Sequence, residues 1–146
     1  LSLAWRDAAT DLLCKARLDH HTPTIAGGAI VDIKTTKDAS PRAFERAIYD
    51  YGYHRQGALY LDGAKAHQLP VEHFAIIAAE KEPPYAVAIY RLTEGALDAG
   101  NEQLRPLIDR YAECVSTNEW PGYSDDVQDL ALPTWAWDQI SEEANA

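Results

Sequence analysis

Residues 28–36, GAIVDIKTT, place an aspartate and a lysine two positions apart in an otherwise apolar, β-branched run. If the run is a strand, Ile30, Asp32 and Lys34 share one face and Val31 and Ile33 the other. Burying ionised groups costs on the order of several kcal/mol each unless they are paired or bind a metal. Aspartate and lysine also disfavour strand interiors, so a function is the simpler explanation of the pair. A second carboxylate, Asp19, closes the preceding run DLLCKARLD. A hairpin joining Asp19 to Asp32 sets both at one edge of a sheet, where two carboxylates repel unless a hard cation lies between them.

Such oxygens, with the backbone carbonyl of Ile33, suit Mg²⁺, with Mn²⁺ as a substitute. Lys34 then stands where an attacking water would be oriented or deprotonated, and where charge building on a phosphate would be offset. The chemistry that results is phosphodiester hydrolysis. Because a three-residue D-x-K pattern is common in unrelated proteins, the weight rests on its order and spacing relative to Asp19 and the elements around it.

Those elements read as follows. In 11–19, Cys14, Ala16 and Leu18 alternate with Lys15, Arg17 and Asp19, the period of a half-buried strand. The stretch 20–28, with Pro23 and Gly27-Gly28, is a hairpin connection returning into a strand over 28–35. Ser40-Pro41 is an N-cap and first-turn pair for one long helix to about Leu61, with Phe44, Ile48, Tyr51, the Arg55 stem and Leu59 on its inner stripe and Asp62-Gly63 as its stop. Two strands, 73–79 and 85–92, flank a turn at Glu82-Pro83-Pro84. Thr93 opens a second helix to about Thr117 with Leu97, Leu104, Leu107, Ile108, Tyr111 and Val115 buried. The rest wraps the surface and frays. The order β-β-α-β-β-α predicts an α/β fold, a mixed central β-sheet flanked by helices, with one further helix expected upstream of Leu1.

At 146 residues and 47% hydrophobic, the chain is the size of one domain able to bury a core. It has no methionine and starts at Leu1, so it is expected to be a piece of a longer protein. No apolar run approaches a membrane span and no signal sequence is evident, so a soluble, cytoplasmic protein without membrane contact is expected. Cys14 and Cys114 are too few and too far apart for a disulfide framework or a metal–sulfur site, and read as buried, inert thiols. A net charge of −10 excludes a generic nucleic-acid-coating surface, so contact with phosphates must be local. Lys37, Arg42, Arg46 and Arg55 supply a local basic rim, or a solvated helix face. His20 and His21 read as a polar hairpin, and Glu80 as a strand-terminal carboxylate that can face the cleft.

The segments KARLD, GAIVDIKTTKDASP and YGYHRQGALY, in that order, resemble the RecE-like exonucleases, the exodeoxyribonuclease VIII family of the PD-(D/E)XK nuclease superfamily. The resemblance runs from about Trp5 to Leu92. It places the family's second acidic motif on Asp19, its D-x-K on Asp32 and Lys34, and its Q-x-x-x-Y helix on Gln56 and Tyr60. It implies catalytic roles for Asp19, Asp32, Lys34, Gln56 and Tyr60, and a metal held by Asp19, Asp32 and the Ile33 carbonyl. Gln56 and Tyr60 are one turn apart on a helix, with Tyr49 and Tyr53 read on the same stripe. The family's first motif, on a helix before the first strand, is not in this chain. The resemblance further implies magnesium-dependent 5′-to-3′ digestion of linear double-stranded DNA in prophage-type recombination, a homo-oligomeric ring, and a RecT-like single-strand annealing protein as partner.

Two other readings compete. Iron–sulfur relatives of the same fold need about four cysteines, and two exclude them. A catalytically incomplete module that serves oligomer assembly or recruits an annealing recombinase is compatible with the missing first motif, whereas the intact Asp19, Asp32 and Lys34 speak against it.

Overall fold

The computed structural model describes residues 1–24, 26–124 and 126–144. Alternation in the N-terminal half produces four strands, β1 (Ser2–Arg6), β2 (Leu13–Arg17), β3 (His20–Thr22) and β4 (Ala29–Thr36). Then come helices α1 (Pro41–Asp50) and α2 (Tyr53–Ala66), strands β5 (His73–Glu80) and β6 (Val87–Arg91), and helices α3 (Glu94–Thr117) and α4 (Thr134–Ala144). The main sheet runs β3-β4-β5-β6 and is mixed: β4 pairs parallel with β5, while the β3–β4 and β5–β6 pairs are antiparallel. A parallel pair needs a crossover, and α1 and α2 supply it. Fold class is therefore as expected, an α/β mixed sheet with helices packed on it.

One face of the sheet carries Ile30, Phe74, Ile76 and Ala78, all fully buried, and meets Phe44 of α1. α3 lies on α2 through Leu97 and Gly100, whose neighbours are Gly57 and the His54 backbone. Removing a large core ring of the Phe44 or Phe74 kind costs about 3–5 kcal/mol, so this layer holds the sheet and helices together.

Several expectations need correction. The single long helix is two, because Gly52 adopts a left-handed conformation (φ 67°) that ends α1 at its Tyr51 C-cap and starts α2 afresh. Tyr51 consequently leaves the inner stripe and is 72% exposed. Asp62-Gly63 does not stop α2, which continues to Ala66. Gly63 is there for close approach instead: a Cβ on it would lie 2.6 Å from the Trp5 ring, so the β1–β2 hairpin packs directly on the helix backbone. Strand β2 is not the direct partner of β4. It pairs with β1, which periodicity did not reveal, and the short β3 makes the hairpin with β4 in the register His20↔Val31. The C-terminal stretch also contains a helix, α4, although none of its residues is buried. Within α3, Leu107, Tyr111 and Val115 are about half exposed rather than core. Cys114 is buried as expected, Cys14 is half-buried, and both are free. Among the described residues no helix is long and apolar enough to cross a membrane.

Candidate active site

β4 is an interior strand, so Asp32 and Lys34 point from the middle of the sheet into the layer beneath α1 and α2. Asp32 stands opposite Ile76 and Lys34 opposite Ala78 on β5. The Asp32 carboxylate is buried at 3% exposure. Its Oδ1 accepts a hydrogen bond of 2.8 Å from Nε2 of Gln56, and its Oδ2 lies 2.5 Å from Nζ of Lys34. Among the described residues that second oxygen has no partner but the Lys34 ammonium, and it is sealed from solvent. Lys34 Nζ also sits 4.9 Å above the Tyr53 ring, whose electron-rich face holds a cation there by cation–π attraction.

Asp19 follows β2 and precedes β3, and its Oδ2 accepts from the backbone N–H of Ile33 at 3.0 Å. That bond ties the second carboxylate to the peptide linking Asp32 to Lys34. The fold thus gathers Asp19, Asp32, Lys34 and Gln56 around one stretch of β4, across sequence separations of up to 37 positions between Asp19 and Gln56. Tyr60 is one turn beyond Gln56, half-buried, with its ring edge-on to Phe74 at 6.2 Å. Tyr49 is not on the Gln56 stripe, because it belongs to α1, where it is exposed and stacks on His54.

Whether these groups suit a divalent cation is decided by the donor set. Among the described residues no group of three or more His, Cys, Asp or Glu side chains gathers in one place. Mg²⁺ asks for less: it keeps several waters and is commonly held by one or two carboxylates. Asp19, bonded to the Ile33 N–H, and Asp32, the residue before Ile33, supply that number, and the Oδ2 of Asp32 has no partner but the Lys34 ammonium among the described residues. The residues therefore fit a hard cation.

Beyond the charged cluster, Thr35, Lys37, Arg46, Asp50, Tyr53 and Lys81 are among the lining of an open groove of about 490 Å³. Lys81 was not singled out from the sequence; the parallel pairing brings it to the β4 terminus, where its N–H donates to the Thr36 carbonyl at 3.1 Å. Arg42 lines an adjoining hollow with Arg46, while the Arg55 guanidinium lies over Gly52. Glu80 accepts from the Ala39 N–H at 2.9 Å, which ties the end of β5 to the entry to α1. His20 and His21 form β3 as a polar hairpin arm. His54, unremarked in the sequence, is buried and bridges the Ile48 carbonyl and the Gln103 side chain, joining α1, α2 and α3. A larger hollow of about 600 Å³ along the second half of α3 contains none of the site residues.

Residues 2–132 match the PDDEXK-like domain of unknown function (DUF3799). The chain belongs to that PDDEXK-like family. Its fold is accordingly that of the PD-(D/E)XK nuclease superfamily. Among solved structures it is similar to a crystal structure of a provisionally assigned exonuclease from Eubacterium rectale, with a TM-score of 0.65 and 19% sequence identity. That likeness, which shows the fold, covers 94% of this chain and 55% of the other, so the chain spans about half the length of the structure it matches. No curated protein matches it.

Proposed function

We propose that this domain is the catalytic part of a metal-dependent exodeoxyribonuclease of the RecE-like kind, hydrolysing phosphodiester bonds of linear double-stranded DNA from 5′ to 3′. The observation that carries the reading is the Asp32 carboxylate, buried with one oxygen held by Gln56 and the other bonded to nothing but the Lys34 ammonium.

Asp19, Asp32 and the Ile33 carbonyl would hold Mg²⁺ or Mn²⁺, which when bound supplies Lewis acidity toward a phosphate oxygen. Gln56 keeps Asp32 from rotating by donating to Oδ1. Lys34, held between Asp32 and the Tyr53 ring, presents its ammonium to the attacking water and to the charge that grows on the phosphate. Asp19 spends one oxygen on the Ile33 N–H, which orients the other. Tyr60 supports the helix from the Phe74 side. Cytoplasmic action in prophage-type recombination, a ring of subunits and a RecT-like annealing partner belong to the same proposal and are supported by the resemblance of KARLD, GAIVDIKTTKDASP and YGYHRQGALY alone.

A second reading, a non-catalytic module for assembly or for recruiting an annealing protein, is favoured by one observation: no cluster of three acidic or histidine side chains exists among the described residues. The two separate on a single assay. Linear 5′-phosphorylated duplex DNA is incubated with Mg²⁺ and either the chain or its Asp32→Ala variant, with closed circular DNA as control. The nuclease reading expects loss of linear DNA by the parent, slowed at least about 10³-fold in the variant. Equal inertness of both, with folding intact by circular dichroism, supports the module.

A further inference from the structure

The break between α1 and α2 does more than shorten a helix. It directs Tyr51 out of the stripe and onto Tyr53, with ring centroids 5.7 Å apart and planes 26° from parallel. Tyr53 in turn neighbours Phe44, which stacks on Tyr90 at 5.1 Å. The result is an aromatic column that starts in the core, passes beneath the Lys34 ammonium at Tyr53, and ends in solvent at Tyr51. Both Tyr51 and Tyr53 line the 490 Å³ groove, together with Lys37, Arg46 and Lys81. None of these three cations takes part in an ion pair among the described residues. Two carboxylates share the lining, Asp38 and Asp50. Asp38 accepts from the backbone N–H of Ser40 at 2.8 Å and stays anionic; the three cations still outnumber the two carboxylates.

A rigid exposed ring beside unpaired cations is the combination that holds a nucleic-acid strand without reading its sequence: bases stack on the ring, and phosphates lie against the charges. We propose that Tyr51 is a stacking platform for a nucleobase of a strand whose phosphates occupy the Lys37–Arg46–Lys81 groove. This rests on the nuclease reading and deepens it by placing one strand of its substrate in this groove. Gly52 is the positioning element, because its left-handed conformation is what turns Tyr51 toward Tyr53.

The test uses a single-stranded DNA oligonucleotide carrying 2-aminopurine at several positions, in EDTA so that the strand stays intact, with the parent chain and its Tyr51→Leu, Tyr51→Trp and Lys81→Ala variants. Stacking quenches 2-aminopurine. The expected result is quenching by the parent and by Tyr51→Trp, loss of quenching with about tenfold weaker binding in Tyr51→Leu, and a shallower salt dependence in Lys81→Ala. Because Tyr51 is exposed, the leucine variant keeps its fold, which circular dichroism checks. Equal quenching and equal affinity for the parent and Tyr51→Leu overturn the stacking platform, while magnesium-dependent digestion by the same parent preparation leaves the nuclease reading standing. A parent that neither binds the oligonucleotide nor digests duplex DNA overturns both.

Discussion

Asp7, half-buried, and Asp32, buried, are both aspartates paired to a base, yet they are satisfied in opposite ways. Asp7 accepts from the Arg105 guanidinium at 2.8 Å, from the Thr10 hydroxyl at 2.7 Å and from the Thr10 N–H at 3.0 Å. Arg105 first, and then Thr10, hold its carboxyl down at about 2, well below the usual carboxylate range. Asp32 accepts one hydrogen bond, from Gln56, and leaves an oxygen to the ion pair with Lys34 alone. The first pattern, tying the β1 terminus to α3, is that of a structural tie. The second leaves one oxygen with a single partner, the lysine, so that an incoming cation has one contact to share or displace. An ion pair's role is thus read from what its carboxylate still lacks.

Substitutions can break this contrast. Lys34→Ala is expected to reduce magnesium-dependent DNA digestion by about 10²–10⁴-fold and also to lower the thermal midpoint, since it leaves the buried Asp32 carboxylate without its charge partner. A lowered midpoint with digestion unchanged would make Asp32–Lys34 a structural pair like Asp7–Arg105. Gln56→Ala should have a smaller effect, about 10–100-fold, visible as a higher Mg²⁺ requirement because Asp32 is no longer oriented. If the Mg²⁺ dependence is unchanged, Gln56 does not act through Asp32. Asp7→Asn should leave digestion near the parent level and lower the midpoint by several degrees at neutral pH.

The pH dependence of that last loss has a defined sign. A carboxylate whose folded value lies near 2, below its ordinary 3.8, stabilises the fold fully above about pH 4 and loses that contribution as pH falls through about 2. The difference between parent and Asp7→Asn should therefore shrink across this window and vanish below it, as followed by thermal melts. A difference independent of pH would mean that the carboxylate charge is not what stabilises the tie.

Local chemistry was legible in residue order. The alternation in β4 announced a charged face inside an apolar strand, and Thr93 announced α3, where its side chain accepts from the Ala96 N–H at 3.2 Å. The two-helix break was not legible, because a glycine inside a helical pattern costs only about 1 kcal/mol relative to alanine and commonly survives there. Only its left-handed φ shows that Gly52 ends a helix.

Composition and spacing by themselves determined the mixed α/β class, the strand bearing Asp32 and Lys34, and the helix bearing Gln56. Those follow from periodicity and capping, which act within a few residues. The tertiary structure decided the rest: that Gln56 reaches Asp32, that Lys34 rests on Tyr53, that Lys81 faces the same groove as Lys37, and that Tyr51 faces solvent. Each of these joins residues on different elements, and their distances are set by sheet register and helix packing, which no local pattern encodes.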